Sequence, residues 1–176
     1  MGQYYKPVVL GKNGKTVKKF VYSHDFGNGL KLMEHSYLTN KFVGSFESLI
    51  LDNPERVVWA GDYADVCKGL KSNVYDRCKD KFKVHPGVCL STKESRFIIN
   101  HTKKIFVDKN KVPRDPSNFD MKLHPLPLLT CEGNGRGGGD FRGENELIGS
   151  WARNVISVSQ ERPVGYLELT FKVTEQ

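Results

Sequence analysis

Two neighbouring stretches, Phe42-Val-Gly-Ser-Phe-Glu-Ser-Leu-Ile50 and Arg56-Val-Val-Trp-Ala60, decide the fold class. In the first, apolar residues recur with the period of one face of an amphipathic helix. Thr39 or Asn40 is suited to cap the start of this helix, and Asp52-Asn-Pro54 ends it. The second stretch is a short continuous apolar run, typical of a buried strand. The sequence therefore predicts a helix followed by a buried strand.

Strand signals come before this helix. Tyr4–Leu10 and Thr16–Ser23 flank Gly11-Lys-Asn-Gly14, and the Asn-Gly pair suits a tight hairpin turn. Pro7 favours a position at the edge of the sheet, because proline donates no hydrogen bond to a neighbouring strand. Leu30–Tyr37 is predicted to be a further strand. The first third of the chain is therefore predicted to be a meander of antiparallel strands.

A second helix is predicted at about residues 64–82. Apolar side chains recur there at every fourth position: Val66, Leu70, Val74, Cys78 and Phe82. The opposite face mixes acidic residues with the basic residues Lys68, Lys71, Arg77, Lys79 and Lys83. Such a face is usually solvated surface, and the alternative that it binds phosphate stays open.

The rest of the chain returns to strand patterns, at residues 97–107, 126–130, 155–160 and 165–173, with a short helix predicted at 144–152. Strands before, between and after two helices are typical of an α+β fold. We expect a mostly antiparallel sheet with two principal amphipathic helices, residues 40–51 and 64–82, on one face. Residues 1–176 are expected to form a single globular domain.

Composition limits the partners and the compartment. The net charge of +7 and the isoelectric point near 9.2 favour a partner that carries phosphates, although solubility alone also accounts for such a charge. The sequence shows no signal peptide and no apolar stretch of membrane-spanning length. The four cysteines form no C-x-x-C pair and no metal spacing with histidine. We therefore expect a cytoplasmic protein without a membrane partner, and the oligomeric state stays open.

The most unusual segment is Thr130-Cys-Glu-Gly-Asn-Gly-Arg-Gly-Gly-Gly-Asp-Phe-Arg-Gly143. It has six glycines in the eleven residues 133–143, so it is neither an ordinary helix nor an ordinary strand. Glycines allow successive N–H groups to point at an anion, and arginine offers a fork for phosphate. The simpler alternative is a connection whose charges pair internally, for example Glu132 with Arg142. The G-x-G-x-x-G match within it lacks the βαβ context of a dinucleotide site.

This segment and its surroundings supply the candidate ligand-binding residues. Trp151 follows the segment and is suited either to stack on a base or to fill the core, of which core packing is favoured. His35 and Asp62 are added because nitrogen and oxygen groups near a turn are suited to contact a ligand. Their spacing fits no metal motif, so neither a metal site nor a cofactor is predicted. The complete set is Glu132, Asn134, Arg136, Asp140, Arg142, Trp151, Arg153, His35 and Asp62.

Three segments carry a resemblance to known proteins: Met1-Gly-Gln-Tyr-Tyr-Lys6, Gly29-Leu-Lys-Leu-Met-Glu-His-Ser-Tyr37 and Val57-Val-Trp-Ala-Gly-Asp-Tyr-Ala-Asp65. The chain resembles a group of small uncharacterised proteins of bacteria and their phages, over most of its length. The resemblance implies a cytoplasmic setting and a phage or mobile-element origin. It assigns no catalytic or binding residue.

Three functions remain in order of preference. The first is a non-enzymatic protein that binds a phosphate-bearing ligand, either a nucleotide-type small molecule or nucleic acid, and so sequesters a ligand or blocks a host factor. The second is a phosphoester hydrolase that uses His24, His35, Asp62 or Glu132. The third is a protein–protein interaction module.

Overall fold

The chain folds into a mostly antiparallel eight-stranded sheet with three short helices, in a computed structural model that describes residues 3–133 and 146–173. This architecture confirms the α+β prediction. The helices are α1 (Leu32–His35), α2 (Lys41–Ser48) and α3 (Pro125–Thr130). The strands are β1 (Tyr5–Leu10), β2 (Val17–Phe20), β3 (Glu55–Gly61), β4 (Phe97–Asn100), β5 (Ile105–Asp108), β6 (Arg114–Asp115), β7 (Met121–Lys122), β8 (Cys131–Glu132), β9 (Val155–Ser159) and β10 (Leu167–Glu168).

Strand β3 lies in the interior of the sheet, whose order is β10-β5-β4-β9-β3-β1-β2, and pairs with three other strands. β1 pairs with β3 along its whole length in antiparallel register. On the other edge, β9 pairs with the start of β3, and β8 pairs in parallel with Trp59 and Ala60 near its end. The buried apolar run predicted at residues 56–60 therefore lies in a strand that is paired on both edges, and residues 57–60 are buried. β6 and β7 form a separate hairpin.

Pro7 lies in an interior strand, so the prediction of an edge position is wrong. β1 runs between β3 and β2. The Pro7 carbonyl accepts a hydrogen bond from Val21 N–H, so the polar groups of Pro7 face the β2 side. β2 ends at Phe20, one residue before Val21. The missing N–H of Pro7 therefore costs the sheet only one hydrogen bond, at the end of the short strand β2.

The predicted helix at residues 40–51 is confirmed as α2. The Asn40 side chain accepts a hydrogen bond from Val43 N–H, which satisfies one of the free donors at the start of the helix. The apolar stripe of α2 packs on one face of the sheet, which we call the helical face. Helices α1 and α3 contribute to the same core, together with Val57 and Trp59 of β3.

The second predicted helix, residues 64–82, is wrong. Turns replace it, followed by a short 3-10 helix at Asp80–Phe82. Gly69 has φ +83°, which a right-handed helix does not contain. The Asn73 side chain donates to the Asp62 and Ala64 carbonyls and accepts from Asp76 N–H, which stabilises a turn instead.

This turn segment covers the face of the sheet opposite the helices, which we call the turn face. Cys67, Val74 and Cys78 are buried there against Val58 and Ala60 of β3. Two members of the predicted stripe, Val66 and Leu70, are instead exposed. One face of the sheet is therefore covered by helices and the other by turns. The prediction of two principal helices on one face does not hold.

Two short apolar runs predicted as strands contain helices. α1 lies within residues 30–37, and α3 occupies residues 125–130. α3 begins with Pro125, where the absent N–H costs nothing because that position has no helical acceptor. His124 caps this helix through Nδ1, which accepts from Leu126 N–H. Within the described residues, no helix combines the length and apolar character needed to cross a bilayer.

A close approach between α2 and the loop at Leu90 provides a test of the packing. Gly44 accepts a hydrogen bond from Leu90 N–H, and a Cβ at Gly44 would lie 2.5 Å from the Leu90 carbonyl oxygen. Helix propensity alone favours alanine over glycine by about 1 kcal/mol. Because backbone cannot yield as a side chain does, we expect Gly44→Ala to lower the free energy of unfolding by about 1–3 kcal/mol.

Urea unfolding of Gly44→Ala measures directly whether the substitution lowers or raises the free energy of unfolding. Gly87→Ala is the control, because nothing lies within 4 Å of a Cβ at that position. This control is expected to leave stability unchanged or slightly raised. A stabilised Gly44→Ala variant would mean that the loop does not pack against the helix as described.

Candidate ligand-binding site

A groove of about 410 Å³ opens on the turn face where β8 ends. Three segments build it: the β1–β2 hairpin turn, the turn at residues 65–68, and the end of β8 together with Arg153. The glycine-rich segment continues the chain directly from Gly133. The lining residues are Lys15, Asp65, Val66, Cys67, Lys68, Glu132, Gly133 and Arg153.

Arg153 is fixed by four hydrogen bonds at the floor of this groove. Its Nε and Nη2 donate to the two Glu132 carboxylate oxygens at 2.8 and 2.6 Å. Its Nη1 donates to the Gly14 carbonyl at 2.8 Å and contacts Cys67 Sγ at 3.1 Å. The hydrogen bonds to Glu132 raise the pKa of Arg153 above its already high value, although burial opposes this. Arg153 therefore links the β1–β2 turn, the turn at residues 65–68 and the end of β8 through its side chain.

The backbone at Arg153 is also unusual, because its φ of +66° lies in the left-handed region. A non-glycine residue there costs free energy that the surroundings must offset. Two hydrogen bonds hold the Arg153 backbone: its N–H donates to the Val57 carbonyl, and the Arg56 side chain donates through Nη1 to the Arg153 carbonyl at 2.8 Å. Arg153 therefore combines a strained backbone conformation with a bidentate ion pair to Glu132.

Two lysines give the groove its free positive charge. Lys15 Nζ donates to the Lys68 carbonyl at 3.2 Å, which holds one ammonium group at the rim. Across the part of the chain that the structure describes, neither Lys15 nor Lys68 forms an ion pair. Because Arg153 and Glu132 neutralise each other, Asp65 is the one remaining carboxylate among the described lining residues that opposes the two lysines.

The structure brings together two of the predicted ligand residues, Glu132 and Arg153, but as partners of each other. Arg142, the partner suggested for Glu132, lies outside the described residues. Asp62 lies nearby but does not line the groove: its Oδ1 accepts Tyr4 N–H at 3.0 Å and so secures the end of the β1–β3 pairing. Asn134, Arg136, Asp140 and Arg142 lie outside the described residues.

His35 is placed on the helical face, away from the groove. Its side chain is fully buried, its Nε2 accepts from Trp59 Nε1–H at 2.9 Å, and its Nδ1 donates to the Gly29 carbonyl at 3.1 Å. Burial lowers the pKa of His35 to about 4, so the ring is neutral at neutral pH. The sheet separates it from Glu132. His35 was predicted to bind a ligand, but its position makes it a structural residue.

Trp151 also belongs to the core of the helical face. Only 1% of its surface is exposed, and its backbone N–H donates to Leu129 O. Neither face of the ring is accessible to a base. Trp151 therefore packs in the core, which is the alternative that the sequence favoured. Sequence reasoning missed Lys15 and Cys67 as lining residues, because only the tertiary fold brings the hairpin turn beside residues 65–68.

A second cluster of charges is fully buried under the helical face, between α2, the residue after β5 and the start of α3. Glu47 forms an ion pair with Lys109 and accepts a hydrogen bond from His124 Nε2–H at 3.1 Å. Lys109 Nζ also donates to Ser95 Oγ at 2.8 Å. Burial alone would raise the pKa of Glu47, but Lys109 and His124 together hold it below its ordinary value. With 2% or less of the Glu47, Lys109 and His124 side chains exposed, the cluster holds the fold together and is closed to ligands.

No protein-family model matches the chain, and no curated protein or solved structure is significantly similar to it. Among residues 3–133 and 146–173, no group of three histidine, cysteine, aspartate or glutamate side chains has a geometry that would hold a metal ion. Function is therefore inferred from the groove itself.

Proposed function

We propose that the protein binds a phosphate-bearing ligand, a nucleotide-type small molecule or nucleic acid, in the groove on the turn face. The observation that carries the proposal is the pair of lysines Lys15 and Lys68, which have no carboxylate partner among the described residues, beside the Arg153–Glu132 ion pair. Ammonium groups bind phosphate as point charges, and neither lysine has to leave an ion pair to do so. The protein sequesters this ligand and does not transform it.

The size of the groove supports a nucleotide-type ligand. Small-molecule sites commonly have volumes of about 300–1,000 Å³, and this groove has about 410 Å³. The Cys67 and Val66 side chains add apolar surface beside the two lysines. A ligand that carries both a phosphate and an apolar or aromatic body fits this combination better than a bare anion.

Binding is favoured over hydrolysis because the groove offers a poor acid–base pair. The hydrolase alternative relied on His24, His35, Asp62 or Glu132. His35 is buried on the other face, His24 lies 3.2 Å from the Tyr22 hydroxyl, and Glu132 is held by both of its oxygens. General acid–base catalysis needs a group within hydrogen-bond reach of the substrate that is free to exchange a proton.

Titration of the protein with ATP and with a twelve-nucleotide single-stranded DNA tests the proposal. We expect Lys15→Ala and Lys68→Ala each to weaken binding roughly fivefold to tenfold, because each removes a charge-assisted contact of about 1–1.5 kcal/mol at an exposed rim. Arg136→Ala, in the glycine-rich segment, is expected to cost tenfold to a hundredfold. Lys79→Ala is the matched control, with the same charge loss at a position that does not line the groove.

Salt dependence separates the two ligand classes. If nucleic acid is the ligand, log affinity falls with log salt at a slope of about −0.7Z to −0.9Z for Z neutralised phosphates. A nucleotide held in the groove gives a shallow slope and is not displaced by competing DNA. Absence of binding to both probes, or equal losses from Lys68→Ala and Lys79→Ala, would contradict the proposal.

A further inference from the structure

The β6–β7 hairpin presents an aromatic side chain to solvent at an energetic cost. Phe119 is 94% exposed, and the neighbouring Met121 is also exposed. Phe119 and Asp120 have φ of +56° and +58°, two consecutive non-glycine residues in the left-handed region. Such residues are rare and strained, and an aromatic one in solvent gains no burial in return. Strain of this kind concentrates at functional positions.

The hairpin tip is built rigidly. Asp115 is buried, and its Oδ1 accepts Ser117 N–H at 3.0 Å while its Oδ2 accepts Asn118 Nδ2–H at 3.1 Å. Arg114 Nη1 donates to the Asp120 carbonyl at 3.1 Å across the hairpin. These bonds fix the backbone that holds Phe119 outward, so docking of this ring would require little further ordering.

Two adjoining cavities lie beside the tip. One, of about 290 Å³, is lined by the hairpin and Tyr37–Thr39, and the other, of about 450 Å³, runs from Leu38 past the start of α2 to residues 89–93. They share Leu38 and Thr39, so they form one continuous surface. Apolar side chains on it, Leu38 and Leu90, are partly exposed.

The charged side chains of this surface are mostly basic. Among the described residues that line the two cavities, Asp120 is the single carboxylate, and it lies 3.8 Å from Arg114. The remaining charged lining residues are basic: Lys122, Lys41 and Lys93. A surface with an exposed aromatic anchor, apolar hollows and an excess of positive charge is complementary to an acidic protein.

We propose that the Phe119 hairpin and the adjoining cavities, here called the hairpin surface, dock an acidic protein segment whose large apolar side chains pack against Phe119 and enter the cavities. Exposed aromatics that become buried at the centre of an interface commonly supply much of its binding energy. The cavities beside the tip accept side chains from the partner, which a flat lipid surface would not supply. The hairpin surface is distinct from the groove, because the two share no lining residue.

A random twelve-residue peptide library, selected on the immobilised protein, tests this inference. We expect the selected peptides to be rich in Asp and Glu with one or two large apolar residues. The strongest peptide should bind Phe119→Asn tenfold to thirtyfold more weakly, because the aromatic anchor is lost. Asparagine tolerates the left-handed region, so this variant keeps the fold, which the unfolding midpoint verifies.

Val164→Asn is the matched control, since Val164 is 95% exposed on another part of the surface. It is expected to leave peptide affinity unchanged. Lys41→Ala combined with Lys93→Ala should weaken binding about threefold to tenfold and reduce its salt dependence. Selected peptides that are neutral or basic, or that bind Phe119→Asn as well as the unchanged protein, would overturn the inference.

Two further measurements separate other occupants of this surface. Light scattering during gel filtration would detect a dimer that Phe119→Asn abolishes, and flotation with phosphatidylserine vesicles would detect lipid binding with the same dependence. Either result would assign the hairpin surface to a second copy of the chain or to a membrane, and would overturn the acidic-protein proposal.

Discussion

Replacing Lys109 with methionine is expected to lower the free energy of unfolding by about 3–5 kcal/mol, because it leaves the Glu47 carboxylate buried without its main cation. Lys109 and Glu47 are 1% and 2% exposed, so water cannot take over the lost partner. His124 continues to donate to Glu47, but it is neutral, since burial lowers its pKa as well. Urea unfolding at neutral pH measures this loss.

Lys111→Met is the control for Lys109→Met, two residues further along the chain. Lys111 forms an ion pair with Glu168 at 2.8 Å, but 61% of its side chain is exposed. An exposed pair of this kind contributes about 1 kcal/mol or less. Combining Lys109→Met with Glu47→Leu should recover part of the loss, because no unpaired buried charge remains. Equal effects of Lys109→Met and Lys111→Met would contradict the burial of this cluster.

The second large effect is an acid-dependent loss of stability that originates at His35. Its pKa is about 4 in the folded protein against an ordinary value of 6.5, so the unfolded chain takes up a proton at higher pH than the folded one. The stabilising contribution of neutral His35 is therefore fully present above pH 6.5 and is lost as the pH falls toward 4. At about 1.4 kcal/mol per pH unit, the total is about 3 kcal/mol.

His35→Gln isolates this contribution. A glutamine amide offers one donor for the Gly29 carbonyl and one acceptor for Trp59 Nε1–H, but it does not titrate. Urea midpoints at pH 7, 6, 5 and 4 should decline less steeply in this variant than in the unchanged protein. The other buried histidine, His124, remains in both proteins, and its charge is one of the lesser causes of the lowered His35 pKa. Parallel pH profiles would mean that His35 is not buried in its neutral form.

Local pattern was enough to predict the elements whose signal lies within a few residues. The apolar period and the Asn40 cap predicted α2, and the Asn-Gly pair predicted the β1–β2 turn, where Gly14 has φ +70°. The same apolar period failed at residues 64–82. There, Val74 and Cys78 pack as turns on the sheet, and their four-residue spacing resembles a helix only in sequence. Short apolar runs such as residues 125–130 do not by themselves distinguish helix from strand.

The groove could be predicted only in part, because its contacts are long-range. Glu132 and Arg153 were both singled out, yet their mutual ion pair spans 21 positions, and a nearer arginine had been the expected partner. The Lys15 ammonium contacts the Lys68 carbonyl across 53 positions. No periodicity or local spacing encodes such contacts, since they depend on how the β1–β2 turn folds against the turn face.

Mapping of backbone amide chemical shifts during addition of ATP, with the twelve-nucleotide DNA as the second probe, tests the proposed groove most directly. Binding at this site predicts that the largest saturable shifts fall on Lys15, Lys68 and Gly133, and that Lys68→Ala raises the ligand concentration needed for half-saturation fivefold to tenfold. Shifts concentrated on Lys79–Lys83 or on the β6–β7 hairpin, or no saturable shifts with either probe, would contradict a phosphate-binding groove at the end of β8.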